Sequence, residues 1–118
     1  MLVVEDDEGV RALVRQVMSS AGYTVMECKN ADQALSMSRS FSGHMHLMVT
    51  DVIMPGASGR ELAQKITALR PEIRVLYMSG YTDNAIVHHG VLDEGVAFLE
   101  KPFTPDRLLR KLREVLDS

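Results

Sequence analysis

The chain reads as an α/β protein, a five-stranded parallel sheet with helices on both faces, and three observations lead there. Short apolar runs alternate with segments whose apolar residues recur at helical spacing. The central run is apolar on both faces, as a parallel strand covered by helices on two sides must be. Polar and charged residues directly follow the runs, at the strand ends where open α/β sheets take their ligands.

Leu2–Val4 is the first run. Val10, Leu13, Val14, Val17 and Met18 then follow at i, i+3, i+4, i+7 and i+8, one buried helical face that Gly22 ends. Thr24–Cys28 is β-prone. Ala31, Ala34 and Leu35 make a weaker second helix, expected to break at the Ser/Gly-containing stretch Ser38–Gly43. Leu47–Thr50 is the third strand, with Asp51 at its C-terminal end. Val52–Ser58 holds Pro55 and Gly56 and is expected to be a loop. Leu62, Ala63, Ile66 and Leu69 form a third helix stopped by Pro71. Arg74–Met78 is the fourth strand, Asp83–Leu92 a fourth helix weakened by Gly90, and Ala97–Leu99 the fifth strand. Leu108, Leu109, Leu112, Val115 and Leu116 give the last helix a strong apolar face. Strands alternating with helices in this way imply right-handed crossovers in a parallel sheet.

At 118 residues the chain is one domain, spanning 1–118, with no internal repeat or interdomain linker. Hydrophobic residues make up 46% and charged residues 25%, an ordinary globular balance. The net charge of −3 lacks the basic face that direct nucleic-acid binding needs. A single cysteine, Cys28, excludes an internal disulfide and any multi-cysteine metal site, and is expected to pack as a small hydrophobe. No apolar stretch approaches the ~18 residues of a membrane span and no signal peptide precedes the first strand, so a cytoplasmic protein without direct membrane contact is expected. Met1 opens the first strand without lead-in, as expected of a segment of a longer protein.

Glu5-Asp6-Asp7-Glu8 is a run of four carboxylates directly after the first strand. Taken alone, such a run is a solvated helix N-terminus, where acids favour the macrodipole. Asp51, Ser79 and Lys101 follow three other strands, and the sheet brings all of these groups to one edge. Crowded acids there are tolerable with a hard divalent cation, Mg²⁺ (or Mn²⁺), which takes one or two carboxylates and favours phosphate oxygens. Asp51, on the central strand, is the candidate nucleophile toward phosphorus. Asp6 is expected to ligate the metal directly and Glu5 directly or through a water, while Lys101 and Ser79 contact phosphoryl oxygens. Pro102 constrains the chain beside Lys101 and is compatible with a cis bond.

These residues resemble the receiver domains of two-component response regulators. The resemblance rests on VVEDDEGVR (Val3–Arg11), VTDVIMPGASG (Val49–Gly59), VLYMSGYTD (Val75–Asp83) and FLEKPF (Phe98–Phe103), and covers essentially the whole chain. It implies a flavodoxin-like (βα)5 fold of strand order 2-1-3-4-5. It implies Mg²⁺-dependent phosphorylation of Asp51 by a phosphohistidine donor, either a histidine kinase or a histidine phosphotransfer domain. It also implies a backbone carbonyl ligand at Ile53 and a switch pair at Ser79 and Phe98. Phe98 stands where many members have Tyr, so only its packing could report the state. The acid pair matches Glu5-Asp6, with Asp7, one residue further on, as the reserve ligand. The C-terminal wording from Ser79 onward resembles receivers fused to hybrid sensor histidine kinases, the preferred context, with a stand-alone regulator as the alternative. Oligomeric state is left open.

A haloacid-dehalogenase-like phosphatase also uses an aspartate nucleophile and Mg²⁺, but needs an Asp two residues on, where this chain has Ile53. A self-phosphorylating switch is therefore expected rather than a turnover enzyme. The intact Glu5, Asp6, Asp51, Ser79 and Lys101 speak against a degenerate receiver. His44, His46, His88 and His89 lack further ligands for a zinc site and are expected at the surface. Ile86, Val87, Arg110 and Arg113 are candidates for a partner surface.

Overall fold

The computed structural model describes residues 1–54, 57–79 and 97–117. Five strands form one parallel sheet: β1 (Leu2–Val4), β2 (Met26–Cys28), β3 (Leu47–Asp51), β6 (Arg74–Ser79) and β7 (Ala97–Glu100), in the order β2-β1-β3-β6-β7. Counting sheet members alone, this is the order 2-1-3-4-5. Two further strands, β4 (Ile53–Met54) and β5 (Ala57–Ser58), pair antiparallel in a separate ribbon. Among the described residues there are four helices: α1 (Glu8–Ser20), α2 (Ala31–Ser40), α3 (Gly59–Leu69) and α4 (Pro105–Asp117). The helix expected at Asp83–Leu92, with Ile86, Val87, His88 and His89, lies outside the described residues.

Strand alternation divides the core in two. Leu2, Val4, Cys28, Met48 and Val52 pack on one face with Ala34 of α2 and Leu62, Ala63 and Ile66 of α3. Val3, Leu47, Val49, Leu76, Met78 and Leu99 pack on the other with Val14 and Met18 of α1 and Leu108 and Leu112 of α4. Each fully buried Leu or Met on these faces contributes roughly 2 kcal/mol by removal from water. Cys28 sits among them as a small hydrophobe, its Sγ 3.6 Å from Met37 Sδ. Burial pushes its thiol up to about 11, against a smaller downward pull from Arg11.

Side chains start each helix and the backbone closes two of them. Asp7, Asn30 and Ser58 are N-caps, accepting from the N–H of Val10, Gln33 and Glu61 at 3.0, 2.8 and 3.1 Å. Thr104 does the same for Arg107 at the start of α4. Gly22, at φ 95°, closes α1: its N–H reaches Ser19 O while Tyr23 N–H reaches Met18 O, a Schellman motif that Gly alone enters without strain. Pro71 disfavours helical backbone at Arg70, where α3 stops.

Four sequence expectations need correction. Helix α2 runs through Ser38 to Ser40, because the Ser38 and Ser40 hydroxyls donate back to the Ala34 and Ser36 carbonyls and follow the helix instead of breaking it. The expected loop after Asp51 contains the β4–β5 ribbon. Leu13 is 41% exposed: the 100° helical step sets it beside half-buried Val10 and Val17, off the Val14–Met18 line that meets the sheet. Leu69 is 46% exposed, in the last turn of α3.

Candidate functional site

The register carries the site residues to one place. Val4 pairs with Thr50, so Glu5 leaves β1 beside Asp51, and Asp51 pairs with Met78, which pairs with Leu99 two residues before Lys101. Val3, Val49 and Leu99 face the α1/α4 side of the sheet. One further alternation brings Glu5, Asp51 and Lys101 to that same side, just beyond the core.

Glu5 is 1% and Asp51 4% exposed, whereas Asp6 is exposed. One carboxylate oxygen from each of Glu5, Asp6 and Asp51 lies within 4.8 Å of the others. Lys101 Nζ stands 2.9 Å from Glu5 Oε2, as hydrogen-bond donor, and 2.6 Å from Asp51 Oδ1. Among the described residues, Asp51 Oδ1 is buried with no hydrogen-bond partner beyond this ion-pair contact. The Lys101–Pro102 peptide bond is cis. Asp7 is exposed and its carboxylate caps α1, apart from the group of three. Ser79 ends β6 opposite Glu100, and its side chain lies outside the described residues. Ile53 opens the ribbon two residues past Asp51. Phe98 is half-buried on β7 and packs against the α2/α3 side of the core.

Burial dominates the electrostatics. It pushes the Asp51 carboxyl up from 3.8 to about 8, reinforced by neighbouring Glu5, while the Lys101 ammonium pulls the other way and loses. Burial also pulls on the Lys101 ammonium, but its contacts with Asp51 and Glu5 outweigh that and raise it. Two buried carboxylates against one ammonium leave an excess negative charge when all are ionised. Either a proton on Asp51 or an added cation removes it. Three convergent carboxylates, two of them buried against a single ammonium, are the donor set a hard divalent cation accepts.

Two residues of this neighbourhood, Arg11 and Glu27, were not singled out by sequence reasoning, and Gly59 was marked only as part of the loop after Asp51. Arg11 Nη1 donates to the Glu5 backbone carbonyl at 2.9 Å, and Glu27 lies 3.7 Å from Arg11 Nε. Gly59 packs its backbone on that of Asp51. These contacts join one element to the next and leave only weak sequence traces, the Arg11/Arg15 spacing and a Gly beginning a helix.

The sequence profile described as the response regulator receiver domain matches residues 1–113. The chain belongs to that family. As a receiver domain of the two-component type it is 32% identical over its full length to part of the sensor kinase CckA of Brucella abortus, covering 12% of that protein. It is 27% identical to the response regulator receiver protein CpdR of Brucella abortus, spanning 98% of this chain and 95% of that one. Among solved structures, the receiver domain of the hybrid histidine kinase CckA superposes with a TM-score of 0.81 at 28% identity, covering 98% of this chain and 96% of that one. The receiver domain spans a minor part, 12%, 24% and 30%, of several curated relatives. Among the described residues, no helix is long and apolar enough to cross a membrane.

Proposed function

We propose that the receiver domain accepts a phosphoryl group on Asp51 from a phosphohistidine donor, with Mg²⁺ held by Glu5, Asp6, Asp51 and the Ile53 carbonyl, and that this acyl phosphate is its signalling state. The observation that carries the proposal is the buried Asp51 carboxylate, with Lys101 Nζ at 2.6 Å and the Glu5 and Asp6 carboxylates alongside. When bound, Mg²⁺ supplies charge neutralisation between the carboxylates and the phosphoryl oxygens.

An Asp51 oxygen attacks phosphorus as the P–N bond to the donor imidazole breaks, the bonding pair going to the ring nitrogen. Lys101 holds a positive charge where the phosphoryl oxygens arrive, drawn away from Glu5 and Asp51 toward them. Ser79, at the end of β6, donates to another oxygen, and Phe98 repacks against the core as β7 responds. The partner is then a histidine kinase or histidine phosphotransfer domain in the cytoplasm. Transfer of radiolabelled phosphate from such a phosphohistidine domain tests this. The label should move to the receiver domain and be absent from Asp51→Asn; label retained by that variant contradicts Asp51 as acceptor.

The full-length similarity to part of a sensor kinase favours a place within a hybrid histidine kinase. The near-complete mutual coverage with CpdR favours a stand-alone regulator instead. The surrounding open reading frame discriminates: kinase modules in the same frame support the first, and start and stop codons flanking the domain the second.

A further inference from the structure

The peptide between Glu5 and Asp6 carries two of the three clustered carboxylates, yet it lies where the sheet ladder runs out. Glu5 N–H still bonds Cys28 O at 3.0 Å, but β2 stops at Cys28 and Asn30 already caps α2. The Glu5 carbonyl therefore has no strand to continue into. Arg11, one turn into α1, donates its Nη1 to that carbonyl at 2.9 Å. Its side chain is only 17% exposed, and its Nε faces Glu27 Oε1 at 3.7 Å. Arg15 joins from the next turn of α1, its Nε 3.3 Å from Glu27 Oε2.

We propose that Arg11, aimed by Glu27, is a positioning residue for the divalent-cation pocket. Its guanidinium takes the place of a ladder partner at the Glu5 carbonyl and fixes the peptide that presents Glu5 and Asp6. This rests on the metal-binding reading given above. The fork geometry matters as well as the charge, because Nη1 and Nε must address the carbonyl and the carboxylate together. Outer residues that hold ligands in this way commonly set metal affinity over a ten- to hundredfold range.

Charge and positioning predict opposite signs. Removing a cation near a metal pocket tightens divalent binding if charge alone matters. Removing the brace on the ligand peptide weakens it.

The test is Mn²⁺ affinity of the receiver domain, read from the electron paramagnetic resonance signal of free Mn²⁺, with apo-state thermal unfolding run in parallel. Wild type is compared with Arg11→Gln, Arg11→Lys and Glu27→Gln. Arg11→Gln should bind Mn²⁺ about tenfold more weakly, and Arg11→Lys also more weakly despite keeping the charge. Glu27→Gln should fall between wild type and Arg11→Gln. Unchanged or tighter binding in a folded Arg11→Gln overturns the proposal. Should that variant fail to fold, wild-type affinity in both Arg11→Lys and Glu27→Gln overturns it. A wild-type domain that binds no Mn²⁺ instead sinks the metal reading itself, and this inference with it.

Discussion

Gly59 and Asp51 meet backbone to backbone: a Cβ on Gly59 would lie 1.8 Å from the Asp51 carbonyl oxygen and 2.9 Å from its carbonyl carbon. The Gly59 N–H donates to Val52 O at 2.7 Å, so the first residue of α3 is seated on the Asp51–Val52 backbone. Thr50 Oγ1 donates to the same Asp51 carbonyl at 3.1 Å. The position of Asp51 is thus set by a helix as well as by its own strand.

Gly59→Ala should therefore cost about 2–4 kcal/mol, because the opposing atoms are backbone and cannot rotate away. Urea unfolding of the metal-free domain measures it. A midpoint equal to wild type would mean that α3 does not rest on Asp51.

Asp51→Asn should unfold no more easily than wild type without metal, and its advantage should depend on pH. Because the folded-state pKa of Asp51 is raised from 3.8 to about 8, the folded chain keeps a proton that the unfolded chain loses between those values. The contribution to stability is full below pH 3.8 and is lost as pH rises through 8. Asn mimics the protonated form at every pH. The stability gap between Asp51→Asn and wild type should widen by at least about 1 kcal/mol from pH 5.5 to 8.5 in chelator. A constant gap across that range would contradict the raised pKa.

Much of this site was legible because its parts obey short-range rules. Asp51 and Lys101 stand where short apolar runs end, and the parallel register does the rest. The Glu5-Asp6 choice over Asp6-Asp7 was less legible: an Asp after a strand can ligate or cap, and only the bond from Val10 N–H to Asp7 shows capping. Ser38 misled because serine breaks a helix when it bonds its own turn, but extends along it when it bonds the carbonyl four residues back. Arg11 on Glu5 and Gly59 on Asp51 are tertiary contacts between elements, which periodicity does not report.

Lys101→Ala should tighten divalent binding several-fold, as a positive charge 2.6 and 2.9 Å from two of the clustered carboxylates is removed. It should also uncouple the phosphoryl group from the rest of the domain, since a ligand shifts a two-state equilibrium only through contacts that differ between the states. Amide hydrogen exchange in β7, with and without beryllofluoride, measures this. A protection change as large as in wild type would remove Lys101 from the switch.

The central claim is that Asp51 takes the phosphoryl group and does so only with a divalent cation present. Acetyl phosphate treatment with Mg²⁺, then with excess chelator, followed by borohydride reduction and peptide mass spectrometry, tests both halves at once. The expected result is homoserine at position 51 in the Mg²⁺ sample and none in the chelated one. Modification at another residue, or undiminished conversion of Asp51 in chelator, would contradict the account.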